Sequence, residues 1–177
     1  LSVQSLLAWD LRFQQLYIEG ARLDVRRDVR GRIFVAGFDL DRGGAEAGEE
    51  GAAVRWFLKQ PEFVIRGGSL RWTDEQRGAP PLALDDVRLV LRNSLRRHAV
   101  QLDATPPAEW GERFSLRGRF SQPLVNGEDF KRWSGTVFAD LPRADVRELQ
   151  RYVTLPFAVS EGDGAVRAWV ELRQGQR

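Results

Sequence analysis

The stretch that decides the fold is Val87-Arg88-Leu89-Val90-Leu91-Arg92, answered a little further on by Val100-Gln101-Leu102-Asp103. Successive side chains of an extended chain point to opposite sides, so a period of two puts Val87, Leu89 and Leu91 on one face and Arg88, Val90 and Arg92 on the other. A helix would spread those arginines around its circumference. The alternation recurs outward in both directions. Upstream it gives Leu70 and Trp72 against Ser69, Arg71 and Thr73, Phe63 and Ile65 against Val64 and Arg66, and Leu23-Asp24-Val25-Arg26. Downstream it gives Phe114, Leu116, Gly118 and Phe120 against Ser115, Arg117 and Arg119, then Val166, Ala168, Val170 and Leu172 against Arg167, Trp169 and Glu171. The chain reads as mainly β: an antiparallel sheet with one apolar face and one solvated face carrying long arginine stems.

Composition narrows the chemistry. Apolar residues make up 42% and charged residues 29% of 177 residues, enough apolar material for a core and too little charge bias for disorder. No apolar run is long enough to span a bilayer. With no Cys and a single His, thiol catalysis, disulfide scaffolds and multi-His or Cys metal centres are excluded, and no cofactor is expected. The base is nearly all arginine, so a pI near 9.5 accompanies a net charge of only +2, and no nucleic-acid partner is called for. The chain starts at Leu1 and contains no Met. It reads as one segment, residues 1–177, of a longer protein.

Two short amphipathic helices are expected. Residues 52–60 set Ala53, Trp56 and Phe57 on one side and stop at Pro61; Pro142 suits a first helical turn, with Val146, Leu149 and Val153 on one stripe. Loops are expected at residues 41–51, 75–81, 104–111 and 122–129. An internal repeat, I-x-G-x-x-L, appears as Ile18-Glu19-Gly20-Ala21-Arg22-Leu23 and again as Ile65-Arg66-Gly67-Gly68-Ser69-Leu70. It suggests repeat units at 15–50 and 61–104, a remainder at 105–177, and a sheet extended by similar units, each with a glycine bend between two strands.

Candidate chemistry is thin. Asp39, Asp41, Gly44 and Glu50 have the spacing of a calcium loop without its helical flanks. Asp74-Glu75 and Asp85-Asp86 are neighbours beside turn signals, so each pair diverges rather than converging on a substrate. His98 has no serine in a nucleophile elbow to serve, and reads as a solvated or capping residue. The cluster Arg22, Arg26, Arg27, Arg30 and Arg32 is interleaved with Asp24 and Asp28. Among six tryptophans, Trp169 lies out of phase with Val170 and is the best surface candidate. No enzyme is indicated.

The run Phe57-Leu58-Lys59-Gln60-Pro61-Glu62-Phe63-Val64-Ile65-Arg66-Gly67-Gly68-Ser69-Leu70-Arg71-Trp72-Thr73-Asp74-Glu75 continues into Ala79-Pro80-Pro81-Leu82 and Asn93-Ser94 to His98. Together with Trp133-Ser134-Gly135 and Gly164-Ala165-Val166-Arg167-Ala168-Trp169, it resembles the AsmA-like family of Gram-negative bacteria, in its long YhdP-type subgroup. The resemblance covers about residues 15 to 173. It implies a periplasmic protein anchored in the inner membrane by an upstream helix. It also implies a curved, open β groove of the bridge-like lipid-transfer kind, carrying phospholipids toward the outer membrane and maintaining its barrier. The candidate groove lining is Ile65, Leu70, Trp72, Val87, Leu89, Leu91, Val100, Leu102, Phe114, Leu116, Val166 and Val170; each of these could equally be core beneath the helices. The expected partners are phospholipid acyl chains, neighbouring segments of the same longer chain at the open sheet edges, and a second copy in a dimer. The competing reading is an envelope module that binds glycans or proteins through exposed Trp and Arg.

Overall fold

In the computed structural model the described residues are 14–36, 38–39, 56, 59–123, 132–153 and 162–172. They form one sheet of ten strands and one helix. The strands are β1 (Leu16–Glu19), β2 (Arg22–Arg27), β3 (Ile33–Val35), β4 (Phe38–Asp39), β5 (Glu62–Asp74), β6 (Ala79–Asn93), β7 (Arg97–Thr105), β8 (Phe114–Ser121), β9 (Ser134–Asp145) and β10 (Asp163–Leu172). The sheet is open, in the order β10-β9-β8-β7-β6-β5-β2-β3-β4, with β1 also on β5. From β5 to β10 every neighbour is antiparallel and consecutive in sequence, as the alternating pattern required.

The repeat organises the one parallel junction. β1 and β2 both run parallel to β5, with Ile18 beside Ile65 and Leu23 beside Leu70. The two copies of I-x-G-x-x-L therefore lie side by side in register. Side-chain contacts follow the same 47-residue offset: Gln15 donates to Glu62 at 2.6 Å, and Arg27 clasps the Asp74 carboxylate through Nε at 3.0 Å and through Nη2. Gly20 and Gly67 occupy the same point of the repeat, and both have positive φ, +67° and +57°. An L-residue with a side chain is strained there, which is why the break is glycine twice. Neighbouring Gly68 has no room for a Cβ, which would lie 2.8 Å from the Ala21 carbonyl oxygen.

Bulges then keep the apolar face intact. Ile65 and Leu70 are an odd number of residues apart, so plain alternation would put them on opposite faces; so would Leu84 and Leu89. Register shifts fall between Ile65 and Gly68 and between Gly68 and Leu70, one extra residue in β5 and then one in β6. Ile65 again faces Leu89, and Leu70 faces Leu84. Asp86 at the β6 bulge takes φ +46°, and Arg113 binds its carboxylate at 2.6 Å and its carbonyl at 2.9 Å. The core sits beneath this bend: Leu84, Val87 and Ala104 are buried, with Leu70, Leu82, Leu89, Leu102 and Phe114 against them.

The helical expectations need correction. Pro142 lies in β9, not in a helical turn, beside a further register shift against β10, where a residue without an N–H is tolerated. The helix α1 (Val146–Tyr152) starts later because Asp145 caps it, accepting from the backbone N–H of Arg147 at 2.8 Å and of Glu148 at 3.2 Å. Of the expected stripe Leu149 is buried, whereas Val153 is 42% exposed. Tyr152 does the further packing, its ring 5.0 Å from Trp110 and its hydroxyl donating to the Pro80 carbonyl at 2.8 Å. Pro80 and Pro81, expected in a loop, begin β6, ahead of the point where β7 pairs with it. Of the expected helix at 52–60 only Trp56, Lys59 and Gln60 are described, and Trp56 and Lys59 are helical there; the acidic loop at 41–51 lies wholly outside the described residues.

Replacing Gly67 with Val forces a β-branched residue into a left-handed conformation. Chemical denaturation of that variant is expected to show a loss of about 1–2 kcal/mol relative to wild type. An unchanged midpoint would mean that the bend does not depend on glycine.

Candidate functional site

Following cross-strand register, since directly paired residues share a face, a set of apolar rows runs across the sheet. One row is Leu16, Phe63, Leu91, Val100, Gly118, Val137 and Val170. The next is Ile18, Ile65, Leu89, Leu102, Leu116, Ala139 and Ala168. Toward the bend lie Leu23, Leu70 and Leu84, with Ala104 beside Phe114 and Leu141 beside Val166; Val25, Trp72 and Leu82 follow. All twelve candidate lining residues fall on this one face. Ile65 and Val87 are buried within it, Val170 is 51% exposed, and the other nine are half-buried. Among the described residues all strands belong to the one sheet, and no second sheet packs on this face.

The candidate set missed about half of the face. Val137, Ala139 and Leu141 continue it through β9, and their alternation with Thr136, Phe138 and Asp140 was visible in the sequence. Leu82 and Leu84 were hidden because an unseen bulge reverses their phase relative to Val87.

One end of the face is closed by aromatic rings. Phe120 shares the face with His98 and faces Gly135; a Cβ on Gly118 would lie 2.5 Å from its ring, and one on Gly135 2.7 Å. The glycines are the space that lets this ring lie down on the strands. Trp133 packs beside Phe120 and stacks on His98, 4.3 Å between centroids at 17°. His98 is therefore neither solvated nor a cap, as the sequence reading had it, but buried at 4% exposure. Its Nδ1–H donates to Asn93 Oδ1 at 2.8 Å, and its Nε2 accepts from Gln122 Nε2 at 3.0 Å. Both nitrogens are satisfied only in the neutral ring, and burial lowers its pKa from 6.5.

The opposite face is mixed: it buries Val64 and Val90 beside Tyr17, and elsewhere it is polar and largely self-neutralised. Asp103 accepts from Ser115 at 2.5 Å and Gln101 at 2.8 Å, and Arg167 meets Asp140 at 3.2 Å. In the basic cluster near the first turn, Asp28 binds Arg32 at 2.7 Å and Glu75 binds Arg26 at 2.9 Å, while Phe34 lies under the Arg26 and Arg32 guanidiniums at 4.5 and 5.4 Å. Burial works against ionisation of Asp28 and Asp74, but the hydrogen bonds from Arg32 and Arg27 and from backbone N–H groups outweigh it and hold both carboxyls below 3.8. Asp74-Glu75 is thus turn and clamp chemistry. Trp169 also lies on this face, 73% exposed, its ring 4.8 Å from Phe138. The described part of the chain holds no group of three metal-ligating side chains, and the calcium-like spacing from Asp39 to Glu50 lies outside the described side chains. No described helix is long and apolar enough to cross a membrane.

An open single sheet with one continuous apolar face defines a surface-presenting β protein. The whole chain, residues 1–177, matches the family described as YhdP protein, and it belongs to that family. No curated protein and no solved structure shows significant similarity to it.

His98 contributes stability through its neutral form. Because its folded pKa is depressed, that contribution is complete above pH 6.5 and is lost as the pH falls through the lowered folded value. Denaturation midpoints of wild type are expected to drop between pH 7 and pH 5, and His98→Ala, weaker at pH 7, is expected to lose this part of the slope. An identical slope in both proteins would assign it elsewhere.

Proposed function

We propose that the apolar face is a lipid-bearing surface, and that the chain is a segment of an AsmA-like envelope protein conducting phospholipids between the inner and outer membranes. The observation that carries this reading is the continuity of the face. Apolar residues stay aligned from β1 to β10 through several register shifts, yet most are only partly buried. A core residue gains ~1.5–3 kcal/mol by full burial, so a broad half-buried apolar face is a cost unless something covers it. Acyl chains suit it, at ~0.8 kcal/mol for each methylene removed from water. The work is passive: the face lowers the free energy of a tail in the aqueous compartment, and no covalent step is involved. Family membership supports a role in the Gram-negative envelope. Periplasmic placement, with an anchoring helix elsewhere in the longer protein, belongs to the same proposal, as does pairing of neighbouring segments with the exposed edge strand β10.

The test is lipid content. Purified without detergent and extracted for mass spectrometry, the chain is expected to carry phospholipid above the level of an unrelated β protein prepared alongside. Leu89→Asp with Leu102→Asp puts two charges at facing positions on the face and is expected to reduce that lipid at least tenfold while circular dichroism stays β-type. Lipid at background level in wild type would remove the proposal.

A second reading rests on Trp169. An exposed indole beside Phe138 on the polar face suits a binding module for a glycan or protein. Trp169→Ala is expected to change stability by less than about 0.5 kcal/mol, as for other exposed positions. A larger loss would make Trp169 a packing residue and retire that reading.

A further inference from the structure

The sheet ends differently at its two edges. One edge is β4, two residues long. The other is β10, ten residues from Asp163 to Leu172, and among the described residues no strand pairs with its outer side. Proteins blunt a long edge with proline, lysine or a bulge that twists it away. β10 contains neither residue, and its one register shift lies near its start, between Gly164 and Val166. It carries Trp169, Val170 and Leu172 at 73, 51 and 45% exposure. Its outer row of backbone N–H and C=O groups is open to a further strand.

The order of side chains along β10 says which strand fits. On the polar face stand Arg167, Trp169 and Glu171; on the apolar face stand Val166, Ala168, Val170 and Leu172. Arg167 and Glu171 flank Trp169 at equal spacing with opposite charge. Two copies of this strand, laid antiparallel with Trp169 opposite Trp169, place Arg167 of each copy opposite Glu171 of the other. Directly opposed residues share a face, so the same register sets Ala168 opposite Val170 and Val166 opposite Leu172. The pairing is self-complementary in charge and in apolarity, as a two-fold interface requires. Arg167 is 68% exposed and meets Asp140 through Nε at 3.2 Å; a guanidinium carries several N–H donors, so one carboxylate does not exhaust it.

Other registers fit less well. Centred on Arg167, the pairing opposes Arg167 to itself and Asp163 to Glu171. Centred on Ala168 or Val170, it sets Trp169 against Arg167 or Glu171 and leaves the charges unmatched. Centred on Ala165, it matches Arg167 with Asp163 but spans only Asp163 to Arg167 and crosses the register shift.

We infer that β10 is a homodimerisation edge: a second copy of this chain adds its own β10 antiparallel, about a two-fold axis beside Trp169, and joins the two apolar faces into one. The inference goes beyond the lipid-bearing reading and does not depend on it.

Sedimentation of the detergent-free 177-residue chain across a range of concentrations tests it. Wild type is expected to show a monomer–dimer equilibrium that stops at the dimer, because the two-fold contact uses up the edge. Arg167→Glu sets like charges across both contacts, and so does Glu171→Arg; each is expected to weaken dimerisation roughly tenfold. An equimolar mixture of these two variants has opposite charges at both contacts again. It is expected to return to wild-type affinity as a heterodimer, a recovery that misfolded variants would not give. The chain has no cysteine, so Trp169→Cys introduces a single thiol, placed opposite its own copy within bridging distance. Under mild oxidation it is expected to form a linked dimer far faster than Leu172→Cys, which this register sets opposite Val166. A chain that stays monomeric would overturn the second copy and leave the edge to a neighbouring segment of a longer protein. A dimer that survives both charge reversals, no recovery on mixing, or equal cross-linking at the two positions would put the contact elsewhere, the apolar face included, and overturn the proposal.

Discussion

Everything in this sheet depends on phase. A strand has only two faces, and a slip of one residue exchanges them. Ten strands can share an apolar face only if every irregularity in one is matched in its neighbour. The glycine pair in β5 and the bulge at Asp85-Asp86 in β6 provide that match: one extra residue on each side, so that the same pairing returns beyond the bend. Gly20 makes the corresponding break between β1 and β2, where the chain passes over Gly68. Three adjacent strand tracks turn at one level and none loses its apolar side. Bulges also increase local twist, so the same device that preserves phase bends the sheet.

The parallel pairing of the two repeat copies follows from the same constraint. Parallel neighbours require a long crossover, which the segment between β2 and β5 supplies. Once the copies lie side by side, identical spacing of Ile, Gly and Leu aligns their bends without further adjustment. The Arg27–Asp74 clasp fixes the far end of the pairing, and the Gln15–Glu62 contact fixes the near end. A repeat in sequence thus becomes a repeat of curvature, with the outer strands β3 and β6 flanking the pair on either side.

The strands were legible because alternation survives in any extended segment longer than a few residues, and Val87 to Leu91 or Phe114 to Phe120 show it without interruption. The lining was legible where phase is unbroken, as from Leu89 through Leu102 to Leu116. It was not legible across bulges: Leu84 and Val87 look like opposite faces until the register is known. Pro142 misled for a related reason. It fits the start of a helix and the irregular position of a strand equally well, and the actual cap is Asp145, three residues on, whose carboxylate accepts from the helix N–H groups. His98 was misjudged because its burial comes from Trp133 and Phe120, distant residues whose arrival depends on two glycines leaving room.

Charge supplies the remaining asymmetry. Alternation alone explains why arginine lies on the polar face, where long stems cover apolar surface and keep their heads wet. It does not explain why the arginines nearest the bend gather around acids, while Arg96 at the β6–β7 turn meets a carbonyl oxygen. Pairing at the bend has a structural cause: Asp28, Asp74 and Asp86 sit at turns or bulges whose backbone N–H groups or strained φ already call for a carboxylate, and the arginines gather around those anions. The β6–β7 turn is built instead around Ser94, whose N–H donates to the Arg97 carbonyl at 2.8 Å, and needs no carboxylate. Arg96 there donates to the Gln122 carbonyl instead. The turns at the bend are therefore held by ion pairs and the β6–β7 turn by backbone and amide hydrogen bonds, a difference set by which turns require an acid.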